Sequence, residues 1–171
     1  YIYDKELNYD VKEIDLSSIK KPKTKIMINA ADPSSVFRYA LLPNDGVGLA
    51  REEFIIANYI KIHPLALLNF DKLKEKDPEL YKEIENLTFG YDNKEEYYVK
   101  KLSYGIAKIA AAFYPNPVIV RFSDFKSNEY AGLIGGKYYE PKEENPMIGW
   151  RGASRYYSEN FKPAFGLECK A

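Results

Sequence analysis

Residues 116–130, NPVIVRFSDFKSNEY, hold the most strand-like run of the chain and the loop that follows it. Pro115 and Pro117 close whatever precedes the run. Val118, Ile119 and Val120 then form a short β-branched run of the kind a strand buried in a parallel sheet shows, and Arg121 ends it. Upstream, Val99, Leu102, Ile106, Ile109 and Phe113 recur every three or four residues between Lys94 and Tyr114, which predicts one apolar stripe on a helix. Glu95 and Glu96 stand in its first turn, where the helix dipole favours acids. A long helix delivering the chain into an apolar strand is the repeating unit of an α/β protein.

Working outward, KIMINA (25–30) is the first compact strand candidate and GVGLA (46–50) the second, set up by the turn residues Pro43, Asn44 and Asp45. MIGW (147–150) reads as a short fourth strand. Between them lie helical stretches: SSVFRYALL (34–42), EEFIIANYIKI (52–62) with acids at its start, and 64–87 after a break at Pro64. The segment 123–146 is too long for a turn and too mixed for a helix, and 152–171 is helix or loop. Four strands separated by helices predict an α/β fold with parallel pairing through crossover connections. A complete (β/α)8 TIM barrel takes about 250 residues. The expectation is therefore an incomplete barrel, about its first half, over residues 25–171, with residues 1–24 as a linker or lead-in segment; an open doubly wound sheet is the alternative. Half a barrel leaves unpaired edges and an exposed interior, so the remaining half is expected from elsewhere in the same protein, or from a second copy in a homo-oligomer.

Strand ends are where α/β proteins collect ligands. Arg51, Arg121 and Arg151 each follow an apolar run, and three guanidinium forks at equivalent places predict one anion site. Asp124, Asn128 and Glu129 follow Arg121 within one loop and are the candidates for orienting it. The single histidine, His63, sits before Pro64 away from the arginine segments and reads as packing or surface; the single cysteine, Cys169, reads as a small core residue. No carboxylate pair has spacing that assigns a metal.

The 171 residues balance 25 basic against 25 acidic side chains, which removes the positive field that nucleic acid would need. One cysteine allows no internal disulfide and suits a reduced, cytoplasmic setting. No apolar run reaches a membrane span of about 18 residues, and the first residues do not read as a signal peptide. Both termini read as cuts in a longer protein.

Three long segments, 42–67 (LPNDGVGLAREEFIIANYIKIHPLAL), 121–136 (RFSDFKSNEYAGLIGG) and 144–171 (ENPMIGWRGASRYYSENFKPAFGLECKA), resemble the PEP-utilising enzyme family in the family's order. The resemblance covers nearly all of residues 24–171. It implies the front half of an α/β barrel that binds pyruvate or phosphoenolpyruvate (PEP), with Arg51 and Arg121 holding a phosphoryl group in transit and Arg151 supporting the same pocket. Asp124, Asn128 and Glu129 match the motif around the second arginine in a structural role. It also implies a separate ATP-binding domain, a mobile phosphohistidine domain and a magnesium ion whose ligands lie on later strands, so the segment would supply one side of an active site. Members of the family differ in whether water, phosphate or a small carrier protein takes part; the wording SDFKSNEY favours the water-dependent conversion of ATP and pyruvate to AMP, PEP and phosphate.

Overall fold

The computed structural model describes Ile2 and residues 4–171. Three parallel strands, β1 (Ile28–Ala30), β2 (Val47–Arg51) and β3 (Val118–Arg121), lie in sequence order in one sheet. α1 (Val36–Ala40) connects β1 to β2. The second connection holds α2 (Glu53–Ile55), a π-helical turn (Ile56–Ile60), α3 (Pro64–Leu68), α4 (Phe70–Lys76), α5 (Pro78–Leu87) and α6 (Lys94–Phe113). After β3 come α7 (Ser127–Ala131), a 3-10 turn (Gly136–Tyr138), α8 (Ala153–Tyr156) and α9 (Lys162–Lys170). The α/β class with parallel pairing is present. Its three sequential strands are compatible with the first part of a barrel.

The fourth expected strand is not formed. Residues 147–150 run through turns and bends, with Pro146 before them and Gly149 within them, and Met147 and Ile148 are exposed. Four residues containing a single β-branched side chain offer little to bury, and the segment instead wraps around the Glu143 carboxylate, which accepts the Trp150 N–H at 2.8 Å. Of the lead-in 1–24, Tyr1 and Tyr3 lie outside the described residues; the rest is exposed and contains one 3-10 turn, Leu16–Ser18, capped by Asp15.

Helix α6 is built as its periodicity predicts. Tyr98, Leu102, Gly105, Ile109 and Phe113 form its fully buried line, with Val99 and Ile106 half-buried alongside. Asn93 caps it by accepting the N–H groups of Glu95 and Glu96. The chain before Pro64 turns at Lys61, whose φ is +65°, and His63 then caps α3 through its ring nitrogen with Pro64 in the first turn. Pro64 thus opens a helix rather than interrupting one.

Two close approaches fix where β2 begins and ends. Gly46, at φ +111°, starts β2 against the Pro117 carbonyl, which receives the Val47 N–H. Any side chain there would collide with that carbonyl. Gly105 lets α6 lie on Ile55 just beyond β2; a Cβ there would stand 2.7 Å from an Ile55 methyl. Gly105→Ala is expected to destabilise the fold by about 1–3 kcal/mol through overpacking, against alanine's better helix propensity. Denaturant unfolding of the variant measures this, and a stabilised variant would show that the helix has room to spare.

Candidate functional site

Parallel register pairs Arg51 of β2 directly with Arg121 of β3. Both are the last residues of their strands, so the two guanidinium groups leave the same end of the sheet side by side. With Arg151 they line one open cavity of roughly 350 Å³, together with Glu53, Phe54, Asp124, Lys126 and Glu129. All three predicted site arginines and two of the three supporting residues, Asp124 and Glu129, are therefore brought together. Asn128 is exposed on α7 and does not line the cavity. Arg151 reaches it from the irregular segment before α8, not from a strand end.

The three arginines differ in how they are held. Arg151 donates from Nε and Nη2 to the two Asp124 carboxylate oxygens, each at 2.9 Å, and from Nη2 to the Asp124 carbonyl at 3.1 Å. That fork holds the Asp124 carboxyl below the ordinary carboxylate range. Arg121 donates to Glu53 and stands 3.7 Å from Asp124. Glu53 also accepts the Asp124 N–H at 2.9 Å, so one carboxylate on the β2 side grips both the arginine and the loop of β3. Among the described residues Arg51 forms no ion pair; Phe54 lies against its guanidinium at 4.7 Å, and its Nε is buried without a protein acceptor. Glu129 accepts the Lys126 N–H at 2.8 Å and stiffens the start of α7. The cavity therefore offers one uncommitted guanidinium beside two anchored ones, a donor arrangement for phosphate or carboxylate oxygens.

Glu53, Phe54 and Lys126 also line the cavity, and no motif in the sequence marks them. Glu53 reads as an ordinary helix-start acid in REEF, and only its place two residues after Arg51 hints at more.

A second buried network carries the segment that delivers Arg151. Arg155 is 1% exposed and forms a two-pronged pair with Glu140 at 2.6 and 2.8 Å. It also donates to the Trp150 carbonyl at 3.0 Å and to Ser127 Oγ at 3.2 Å, and the rings of Trp150, Tyr130 and Phe161 surround its guanidinium. His63 meets the same Glu140 at 3.0 Å. Its Nδ1 accepts the Leu65 N–H, so Nε2 carries the proton and donates to the carboxylate. Burial lowers the His63 pKa and keeps the ring neutral. Burial alone would raise Glu140, but the His63 and Arg155 hydrogen bonds outweigh it and hold that carboxyl below its usual range. His63 is thus a packed structural group, as expected, whereas Cys169 is exposed rather than in the core.

Among the described residues no three His, Cys, Asp or Glu side chains converge on a metal position. Glu53 and Asp124, the two carboxylates nearest the arginines, are both engaged in ion pairs. No helix is long and apolar enough to cross a membrane.

Paired strand-end arginines over an open cavity mark an α/β domain with a cationic pocket at the carboxyl end of its sheet. The chain belongs to the PEP-utilising enzymes: residues 5–171 match the model of that family's PEP-binding domain. It is 59% identical to the phosphoenolpyruvate synthase of Aquifex aeolicus over the whole chain and 25% of the relative's length, and 58% identical to that of Synechocystis sp. over 99% of the chain and 21% of the relative. The Escherichia coli phosphoenolpyruvate synthase is 51% identical over the whole chain and 21% of its length. The chain therefore spans between a fifth and a quarter of these curated relatives.

Arg155→Met is expected to cost about 3–5 kcal/mol, because it strands the Glu140 carboxylate in the core. A double-mutant cycle with Glu140→Gln in chemical denaturation checks it. Additive losses would mean the two side chains do not act as a pair.

Proposed function

We propose that this chain is part of a phosphoenolpyruvate synthase and supplies the phosphate-gripping side of its pyruvate/PEP site. The overall conversion is ATP, pyruvate and water to AMP, PEP and phosphate, passing through a phosphohistidine. The names of the relatives support this reading, and one geometric observation carries it: Arg51 and Arg121 stand on the same rung of the sheet at their strand ends, with Arg51 unpaired among the described residues.

In this reading the sheet is the first part of a (β/α)8 barrel completed by later strands, and the ATP-binding and phosphohistidine domains lie elsewhere in the enzyme. The phosphoryl group leaves the histidine nitrogen and forms a bond to the enolate oxygen of pyruvate. Its three peripheral oxygens carry charge throughout, so the task of the protein here is positioning and charge compensation. Arg51 takes up phosphoryl oxygens with its free donors, and Arg121, oriented by Glu53, closes on the same group from the neighbouring strand. Arg151, clamped by Asp124, frames the pocket and adds field rather than a mobile hydrogen bond. Magnesium, when bound by the whole enzyme, supplies further charge compensation at the substrate; its ligands are expected outside this segment.

The ranking of the arginines is a test. In the full-length enzyme Arg51→Ala and Arg121→Ala should each lower kcat/KM for PEP formation by about a thousandfold or more, the scale of a transition-state arginine. Arg151→Ala, which removes a guanidinium already neutralised by Asp124, should cost less, about ten- to a hundredfold, in the range of one charge-assisted hydrogen bond. Steady-state assay of ATP-dependent PEP formation measures all three. Near-normal turnover in both Arg51→Ala and Arg121→Ala would remove the phosphate role.

A further inference from the structure

Two glutamates that take no part in the cavity converge beneath it. Glu52, between Arg51 and Glu53, is 2% exposed, and Glu168 of α9 is 4% exposed. Both receive the same donor: the Ser123 N–H lies 2.7 Å from Glu52 Oε1 and 3.3 Å from Glu168 Oε2. Two carboxylate oxygens converging on one hydrogen are neighbours. Ser123 Oγ donates to Glu168 Oε1 at 2.6 Å, Tyr130 OH stands 3.3 Å from that oxygen, and Tyr156 OH donates to the Ser123 carbonyl.

Among the described residues nothing in ion-pair contact balances two negative charges here. The facing groups are Tyr98 of α6, Tyr130 of α7 and Tyr156 of α8, with Glu53 adding a further negative charge. Arg155 lies against Tyr130 and is matched by Glu140. Among the described residues neither glutamate has a cation within ion-pair distance. Two adjacent buried carboxylates cannot both ionise without a counter-charge, and the economical state keeps a proton between them. Burial first, and then repulsion from Glu168, push Glu52 up to about 10, and burial raises Glu168 as well.

The pair is placed to matter. Ser123 is two residues beyond Arg121 and directly precedes Asp124, and Glu52 directly follows Arg51. We propose that Glu52 and Glu168 share a proton and act as positioning residues, tying the ends of β2 and β3 together through Ser123 so that Arg51 and Arg121 meet one phosphoryl group. The positioning role rests on the phosphoenolpyruvate-site reading above; the shared proton does not. The sign of the pH dependence follows. The junction is intact while the proton is held, and it loosens as pH rises through the raised value, when two charges repel across Ser123.

The test uses the full-length enzyme, PEP as the probe, and the variants Glu52→Gln and Glu52→Ala. Glutamine keeps the acceptor for Ser123 and a permanent donor toward Glu168, whereas alanine removes both. Infrared difference spectra between wild type and Glu52→Gln at neutral pH should show a protonated-carboxyl band; no such band overturns the shared proton, whatever the enzyme does. In binding titrations Glu52→Gln should stay within about threefold of wild type at neutral pH, and Glu52→Ala should weaken at least about tenfold, the scale of a lost buried hydrogen bond to a site loop. As pH is raised toward 10, wild type should weaken more steeply than Glu52→Gln. Equal affinity of Glu52→Ala and wild type, or parallel alkaline loss in wild type and Glu52→Gln, overturns the positioning role, and the second comparison stands even if the alanine variant does not fold. A wild-type enzyme that binds no PEP instead sinks the functional reading, an outcome distinct from variants that bind alike.

Discussion

Strand pairing in a parallel sheet places partner residues about 4.8 Å apart on one face, and here it places Arg51 beside Arg121. Like charges at neighbouring strand ends repel, the more so the less water stands between them. Much of the local architecture answers that repulsion. Glu53 crosses from the β2 side to take Arg121 and the Asp124 N–H, and Asp124 leans toward Arg121 while holding Arg151. Among the described residues Arg51 is the one arginine of the three left without a carboxylate, so the unbalanced charge of the cluster is concentrated where an anionic ligand can meet it.

Compensation of this kind requires the loops at the strand ends to be stiff, and two buried polar centres supply the stiffness. Arg155, Glu140 and His63 pin the segment that carries Arg151 to the aromatic core. Glu52, Glu168 and Ser123 join the roots of β2 and β3 to α9. Each centre would be costly if incomplete, which is why their hydrogen bonds specify one loop arrangement rather than several. The bridge between Ile62 and Ile134 adds a backbone tie between the same two connections.

The parts of this arrangement that follow a periodic or local rule were legible in the amino-acid sequence. The Val99-to-Phe113 stripe, the apolar run ending in Arg121 and the turn before Val47 each announce an element through side chains that do one thing. Arg51 and Arg121 were legible as a pair because both close apolar runs. Residues 147–150 differ from the strand expected of them because a short apolar run can wrap a carboxylate, here that of Glu143, as readily as it can pair as a strand, and only Pro146 and Gly149 argue against the strand. Glu52, Glu53 and Arg155 were opaque for a different reason. A charged residue beside a helix start or in a polar segment carries no mark of whether it will face water or a buried partner, since that depends on strands and helices many tens of residues away. Ser123, the donor shared by Glu52 and Glu168, shows this: its partners are 71 and 45 residues distant in the chain.

The central claim is that the paired strand-end arginines form the seat of the transferred phosphoryl group. A crystal structure of the full-length enzyme with phosphoenolpyruvate bound tests it most directly. The account predicts phosphate oxygens within about 3 Å of both the Arg51 Nε and the Arg121 guanidinium, normal hydrogen-bond distances for such donors. A phosphate bound elsewhere in the enzyme, with the Arg51 Nε still lacking an acceptor, would contradict it.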